Sequence, residues 1–259
     1  TLPVGVTLID DDAFRGCAAL QNVDLSRAKD LQIFANAFYD SGLTSVHIPA
    51  GVQYIGEFCF TACRNLTQIT VDAGNANYAS DGGILYNKAK TKLITCPAGK
   101  TGSLTVPAAV SSLGFAAFES SRLSAVVIPA DSQLVTLGYR VFYNCDNLTS
   151  IAVPDGVQSI DNYAFAECGN LKTVTFTKNS QLGGIYKSAF YNNTSLTSIE
   201  IPAGVQEIGE YAFYGCSKLT SITFLGTSLP TIGNDAWKNV ITANKLLIAA
   251  HYKELVSLA

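Results

Sequence analysis

The sequence predicts a solenoid, a stack of about ten short coils that share one hydrophobic core. The first observation is an aromatic residue, usually preceded by alanine, that recurs every 22 to 25 residues with one gap of 58. It stands at Phe14, Phe38, Phe60, Phe118, Phe142, Phe165, Phe190, Phe213 and Trp237. The second is an apolar position with the same period, at Leu2, Leu25, Ile48, Val71, Val106, Ile128, Val153, Phe176, Ile201, Phe224 and Ile248. Self-similarity at a period of roughly 20 to 50 residues is typical of stacked repeats.

Each repeat combines one short strand with a turn. The stretch from Leu196 to Phe224 has the skeleton L-x-x-I-x-I-P-x-G-V-x-x-I-G-x-x-A-F-x-x-C-x-x-L. Its first alternating apolar residues indicate a half-buried strand. The proline that follows ends this strand because it has no N–H for the ladder. A lone coil buries only about six apolar side chains against the ordering of about 23 residues, so we expect coils to be stable only when stacked.

The composition excludes several classes of function. The 259 residues are 48% hydrophobic and 14% charged, with a formal net charge of −3. We therefore expect a folded chain that does not bind nucleic acid, because a basic patch is missing. No apolar run approaches the ~18 residues of a transmembrane helix. Residues 1–259 are predicted to form a single domain, interrupted by an irregular insertion unit at 75–102.

The seven cysteines follow the repeat. Five of them lie three residues after the repeated aromatic, where other coils have serine or asparagine; they are Cys17, Cys63, Cys145, Cys168 and Cys216. A small residue at one recurring inward position predicts buried free thiols. A disulfide between Cys59 and Cys63, which are close in sequence, is the alternative that the sequence leaves undecided. No Cys-x-x-Cys pair exists, which argues against a metal site.

One short motif resembles a nucleotide-binding loop. Gly99, Lys100 and Thr101 match the end of G-x-x-x-x-G-K-[ST], but the first glycine of that motif would fall at Ile94. A repeat strand follows the motif instead of a helix. The sequence therefore predicts a turn between strands here.

Enzymatic chemistry is not predicted. The two histidines, His47 and His251, are near opposite ends of the chain, and neither G-x-S-x-G nor H-E-x-x-H occurs. The acidic run Asp10 to Asp12 can be considered as a cation ligand, but adjacent side chains diverge, which favours a solvated turn. We predict no catalytic residue, no metal and no cofactor.

The first candidate binding surface is the outward side of the repeated strands. Its residues are small, polar and weakly charged, which fits solubility and β-propensity but also a flat hydrogen-bonding surface for a protein or a glycan. The candidate residues are Asp24, His47, Thr70, Thr175, Ser198, Glu200 and Thr223.

The second candidate surface is aromatic. Tyrosines directly follow the repeated phenylalanine in four coils, and Phe58, Tyr163 and Tyr211 precede it by two residues. The candidate stripe is Tyr39, Tyr143, Tyr163, Tyr191, Tyr211 and Tyr214. Stacking between coils is one explanation. A binding stripe is the other, since tyrosine gives a large contact area. The insertion at 75–102 is a third candidate, because insertions in repeat arrays often lie on a binding face.

The repeat frame resembles a known family. The segment "IPAGVQEIGEYAFYGCSKLTSI" is similar to the BspA-type leucine-rich repeat, and the segment from Asn77 to Pro107 resembles the interrupting unit that this family often carries. The resemblance implies a leucine-rich repeat solenoid of the α/β horseshoe class, curved and right-handed, with a parallel sheet on its concave face. It also implies a non-catalytic role in binding or adhesion, on secreted or surface-anchored bacterial proteins.

We therefore expect an interaction module outside the cell or on the bacterial surface. A protein ligand, such as a host surface or matrix protein, ranks first, a glycan second and an architectural spacer third. A leader or anchor is expected to lie outside this chain, because the chain begins within a coil at Thr1. At the other end, Leu246 to Ile248 fits a final strand within a capping segment at 244–259.

Overall fold

The coils are built from very short strands joined by tight turns. The computed structural model describes residues 2–240 and the strand at 247–248, and in this part of the chain there is no α-helix. The strands are β1 Leu8–Ile9, β2 Leu31–Ile33, β3 Ser45–Ile48, β4 Val52–Ile55, β5 Gln68–Val71, β6 Tyr78–Asp81, β7 Ile84–Asn87, β8 Lys92–Thr95, β9 Thr101–Thr105, β10 Ser112–Leu113, β11 Arg122–Val127, β12 Thr136–Leu137, β13 Ser150–Val153, β14 Ser159–Ile160, β15 Thr173–Phe176, β16 Gly184–Ile185, β17 Ser198–Ile201, β18 Glu207–Ile208, β19 Ser221–Phe224, β20 Thr231–Ile232 and β21 Leu247–Ile248.

The chain divides into two compact units. Unit 1 comprises Thr1–Thr101 and Ala109–Arg122, and unit 2 comprises Gly102–Ala108 and Leu123–Ala259. Each unit is a β-solenoid with parallel strands, and the chain has about ten coils. A single domain over residues 1–259 stays a prediction, as do the curvature and the handedness of the stack.

Most coils contribute two strands, one to each of two different sheets. The first strand is the one that the alternating apolar pattern predicts, and it pairs in parallel register with its neighbours in β3–β5, β13–β15 and β17–β19–β21. The second strand carries the V-x-x-I residues and forms the parallel sheets β1–β2–β4 and β12–β14–β16–β18–β20. The final strand β21 matches the predicted one, while the rest of the segment at 244–259 lies outside the described residues.

The repeated aromatic residues stack through the core. In unit 1, Phe38 lies 5.2 Å from Phe14 and 5.5 Å from Phe60, ring centroid to ring centroid, with the planes nearly parallel. In unit 2, similar stacks with separations of 4.7 to 5.2 Å run through Phe142, Phe165, Phe190, Phe213 and Trp237. All the phenylalanines in these stacks except Phe14 are buried. One equivalent ring per coil thus gives each unit a continuous core.

The turns around these rings explain why the α/β expectation is not met in the described chain. The backbone is left-handed two residues before and two residues after the aromatic in every repeat, for example at Asn36 (φ 55°) and Asp40 (φ 54°) around Phe38. A right-handed α-helix cannot include such residues. Every second N–H instead reaches the next coil, as when Phe38 N–H donates to Cys59 O at 3.0 Å.

The cysteines three residues after the repeated aromatic are free thiols, as predicted, and all of them except one are buried. The thiols of Cys63, Cys168 and Cys216 donate to the carbonyl oxygen of the phenylalanine one coil earlier, at 2.9 to 3.1 Å. All seven cysteines are free, which answers the question about Cys59 and Cys63. Cys17 is exposed, in contrast to the prediction, because it lies in the first coil of unit 1.

The insertion unit replaces a regular coil with a hairpin. Strand β7 pairs in antiparallel orientation with β6 on one side and with β8 on the other, and β8 then pairs with β10 in parallel. Asn75, fully buried, anchors the unit: its amide donates to the carbonyl oxygens of Pro49 and Val52, and its oxygen accepts the N–H groups of Asn77 and Tyr78. The repeated phenylalanine is missing from this coil. Cys96 makes the hydrogen bond to Ala117 O that a repeated phenylalanine makes elsewhere.

Candidate functional site

The strand face, which we define as the outward residues of the first strands, is exposed and in register. In unit 1, His47 on β3 lies opposite Thr70 on β5, and its Nδ1 is 3.0 Å from the Thr70 hydroxyl. Both side chains are exposed. Asp24 is also exposed, but it precedes these strands and accepts the Ser26 N–H at 2.9 Å. The structure therefore brings His47 and Thr70 together, and it places Asp24 outside the ladder.

In unit 2 the strand face is more extensive. Ser198 lies opposite Ser221, and Glu200 lies opposite Thr223. Thr175 lies on β15, which contacts β17, and its hydroxyl donates to Ile151 O at 3.5 Å. All of these side chains are exposed except Ser221 and Thr223, which are half-buried. The result is a surface of short hydroxyl side chains with one carboxylate, carried on a buried apolar layer.

Stacking between coils accounts for much of the tyrosine stripe in unit 2. The rings of Tyr191 and Tyr214 lie 5.1 Å apart and are nearly parallel. Tyr211 meets Tyr214 edge-on at 5.8 Å, and Tyr139 meets Tyr163 edge-on at 6.1 Å. All six predicted stripe residues are half-buried. Neighbouring rings therefore cover part of Tyr163, Tyr191, Tyr211 and Tyr214.

Cationic side chains of the chain itself also cover stripe tyrosines. The guanidinium of Arg140 lies 3.9 Å from the ring centroid of Tyr143, and the Lys187 ammonium lies 5.8 Å from that of Tyr211. The hydrogen bond and the charge of Glu210, 2.7 Å from Lys187 Nζ, raise the pKa of that lysine. In unit 1, Arg15 lies 4.9 Å from the Tyr39 ring. The stripe is thus a set of ring–ring and cation–ring contacts.

The insertion unit presents charged turns. Lys90 and Asp81 form an exposed ion pair at 2.8 Å, which lowers the pKa of Asp81. Lys100, the lysine of the Gly-Lys-Thr motif, donates to Gly82 O at 2.8 Å. Thr101 begins strand β9, so this motif is a turn leading into a strand, as the sequence predicted.

Two pairs of aromatic residues in unit 1 lie outside the predicted site residues, although the sequence grouped Phe58 with the tyrosines two positions before the repeated aromatic. Phe34 meets Tyr54 edge-on at 5.9 Å, and Phe58 stacks with Phe115 at 6.2 Å. Tyr54 is 47% exposed and Phe115 is 45% exposed. The sequence did contain a signal, because an aromatic residue stands at the outward position of Val52–Ile55. We name Phe34, Tyr54, Phe58 and Phe115 the aromatic patch.

The carboxylates of Asp10 to Asp12 already have hydrogen-bond or ion-pair partners within the chain. Asp10 accepts the N–H of Asp11, Asp11 accepts the N–H of Ala35 at 2.7 Å, and Asp12 pairs with Arg15 at 3.0 Å. Over residues 2–240, no group of three or more histidine, cysteine or acidic side chains is arranged to hold a metal ion. No helix in the described chain could cross a membrane. His251 lies outside the described residues.

Comparison with known families identifies the repeat. The model of the BspA-type leucine-rich repeat region matches residues 1–99, 96–184 and 183–257. The chain belongs to the BspA-type leucine-rich repeat family. A search of curated proteins found no match.

Several solved structures resemble the chain. A leucine-rich repeat protein from Eubacterium ventriosum ATCC 27560 is 25% identical, with a TM-score of 0.75 over 94% of this chain and 77% of its own. A leucine-rich cell surface protein from Faecalibacterium prausnitzii A2-165 is 27% identical, with a TM-score of 0.66 over 96% of this chain and 59% of its own. The pneumococcal vaccine antigen PcpA is 26% identical, with a TM-score of 0.63 over 91% of this chain and 54% of its own. The chain thus spans little more than half the length of the last two.

Proposed function

We propose that this chain is a non-catalytic interaction module of a secreted or cell-surface bacterial protein. Its ligand is a protein, such as a host surface or matrix protein, and the strand face of unit 2 binds it. Membership of the BspA-type family supports an interaction role, and a resemblance to a protein named as a cell surface protein supports the location.

The observation that carries the proposal is the geometry of the strand face. Ser198, Glu200, Ser221 and Thr223 stand in register on two paired strands, with Thr175 on the neighbouring strand. Short hydroxyl side chains lose little conformational entropy when a partner orders them. A partner also displaces water from hydroxyl groups at a lower cost than from charged groups. A rigid surface of this kind favours hydrogen bonding to another protein.

A glycan remains the second candidate, and an architectural spacer the third. An aromatic platform for a sugar needs a ring face that is open to solvent. Tyr191 and Tyr214 turn faces toward each other at 5.1 Å, and Arg140 covers a face of Tyr143. This arrangement supports a structural role for the stripe and ranks the glycan below the protein ligand.

The test is binding of the full chain to paired arrays of matrix proteins and glycans. The variant Thr175→Lys/Glu200→Lys alters the strand face, and Tyr143→Ala/Tyr191→Ala/Tyr214→Ala alters the stripe. Glu207→Lys, an exposed charge reversal on β18, is the matched control. We expect a protein hit that the strand-face variant weakens at least tenfold and that the control retains. A hit on glycans alone, lost in the stripe variant, would favour the second candidate. Silence on both arrays would favour a spacer.

A further inference from the structure

We propose that the aromatic patch of unit 1 is a second docking surface, and that it takes a polypeptide segment rich in aliphatic side chains and in lysine or arginine. The proposal goes beyond the interaction module described above, because it uses another part of the chain and specifies the chemistry of the partner. It does not depend on whether the strand face of unit 2 binds a ligand.

The geometry of three neighbouring segments forms the patch. The turn that follows Phe34 lies directly against the backbone of Gly56. A Cβ added to Gly56 would be only 2.6 Å from the carbonyl carbon of Phe34. Tyr54 precedes Gly56 by two residues, and Phe58 follows it by two. Phe115 stacks on Phe58 from beyond the insertion unit. The two ring pairs, Phe34 with Tyr54 and Phe58 with Phe115, thus each have one member, Tyr54 and Phe58, within two residues of Gly56.

Their exposure makes the rings available to a partner. Tyr54 and Phe115 each leave nearly half of their surface open to solvent, while Phe34 and Phe58 are half-buried beneath. Exposed apolar clusters rimmed by polar groups are typical of protein interaction sites. Aromatic anchors of this size often dominate the affinity of an interface. Aliphatic side chains are the natural complement of such a surface.

Charge then specifies the partner. Glu57, which is exposed, directly precedes Phe58. Asp11 lies beside the turn that Phe34 begins, with its carboxylate 2.7 Å from Ala35 N, and Asp10 precedes it. Carboxylates on or beside the segments that carry the rings attract lysine and arginine, whose charged groups also bind aromatic faces. Elsewhere in unit 1 the chain itself provides such a contact, as Arg15 over Tyr39.

The test uses three synthetic twelve-residue peptides with the full chain. The basic probe contains three leucines, two lysines and two arginines among glycines and serines. The acidic probe has glutamate at each basic position, and the polar probe has serine at each leucine. Fluorescence polarisation measures binding to the parent chain and to the variants Tyr54→Ser/Phe115→Ser and Glu57→Lys. Val135→Ser/Leu225→Ser removes two equally exposed apolar residues of unit 2 and serves as the matched control.

We expect the basic probe to bind at least fivefold more tightly than either of the others. Both patch variants should weaken this binding at least fivefold, the unit 2 control should retain it, and raising the salt from about 50 to about 300 mM should weaken it. Circular dichroism of each variant checks that it is folded. Equal binding of the three probes, no binding, or equal binding by the two patch variants and the parent would overturn the proposal. The array experiment with Thr175→Lys/Glu200→Lys reports on the strand face separately.

Discussion

The thiol of Cys168 donates a hydrogen bond to the carbonyl oxygen of Phe142, 2.9 Å away and one coil earlier. The same contact recurs between Cys216 and Phe190. It links the turn of one coil to the aromatic residue of the previous one, inside the core. A cysteine at this position therefore does more than fill space.

The variants Cys168→Ser and Cys168→Val separate the hydrogen bond from the volume. Serine keeps a donor, and Ser41 and Ser121 already occupy this position in other coils. Valine has a similar size but cannot donate. We expect valine to lower the free energy of unfolding by about 1 kcal/mol more than serine does, because a buried acceptor loses a partner. Urea unfolding measures the difference, and equal losses would assign the cysteine to packing alone.

Close approach of adjacent coils makes Gly209 sensitive to substitution. A Cβ at this position would lie 2.5 Å from the backbone nitrogen of Lys187. We expect Gly209→Ala to destabilise the protein by about 1–3 kcal/mol, since the backbone has to move. At Gly138 an added Cβ has no neighbour within 4 Å, so Gly138→Ala should be neutral or stabilising by about 0.4–1 kcal/mol. Thermal unfolding of both variants checks the contrast. Equal changes in stability for the two variants would mean that the close approach of adjacent coils does not exclude a side chain at position 209.

Tyr78 connects the insertion unit to β4. Its phenol oxygen accepts the N–H of Ile55 at 2.7 Å. Tyr78→Phe leaves that buried N–H without its acceptor, which should cost about 1–3 kcal/mol. Amide hydrogen exchange at Ile55 should become faster as well. Tyr54→Phe, in which an exposed hydroxyl is removed, is the control and should change neither quantity.

Alkaline pH should destabilise the fold through its buried thiols. Burial raises the pKa of Cys216 from 9.0 to about 12. Above pH 9 the unfolded chain therefore loses this proton first, so the stability is complete below pH 9 and falls as the pH rises toward 12. Within this window each such group lowers the free energy of unfolding by about 1.4 kcal/mol per pH unit.

The variant Cys216→Ser removes that contribution. Urea unfolding between pH 8.5 and 11 should show a shallower decline than in the parent chain. Cys17→Ser, which removes an exposed thiol, is the control for the substitution itself. Parallel slopes for Cys216→Ser and the parent would contradict the assignment. Tyr86, whose pKa burial also raises to about 12, should maintain part of the decline in both variants.

The periodic features of the structure could be predicted from the sequence, because every coil repeats the same environment. The stacking of Phe38 between Phe14 and Phe60 and the register of Glu200 with Thr223 follow directly from the spacing. The second strand of each coil did not follow, since two to four residues give too short a pattern. The left-handed turns were also missed, because residues as different as Phe58, Arg140 and Glu167 adopt them.

One contact within the aromatic patch could not be predicted, for a different reason. The contact between Phe58 and Phe115 joins residues 57 positions apart, across a coil that departs from the repeat. That coil contains the irregular insertion with strands β6 to β8. An insertion has no period, so the spacing of the repeat contains no information about the contact.

The aromatic stack of unit 2 finishes in the protein's only tryptophan. Trp237 lies 4.7 Å from Phe213, with the two rings nearly parallel. The molecule therefore has an intrinsic fluorophore attached to one particular coil. If that coil separates from its neighbour before the others do, the emission of Trp237 will change while the far-ultraviolet signal is still intact. If the coils of unit 2 unfold together, the two signals will coincide, so ordinary fluorescence can measure the cooperativity of the stack without a label.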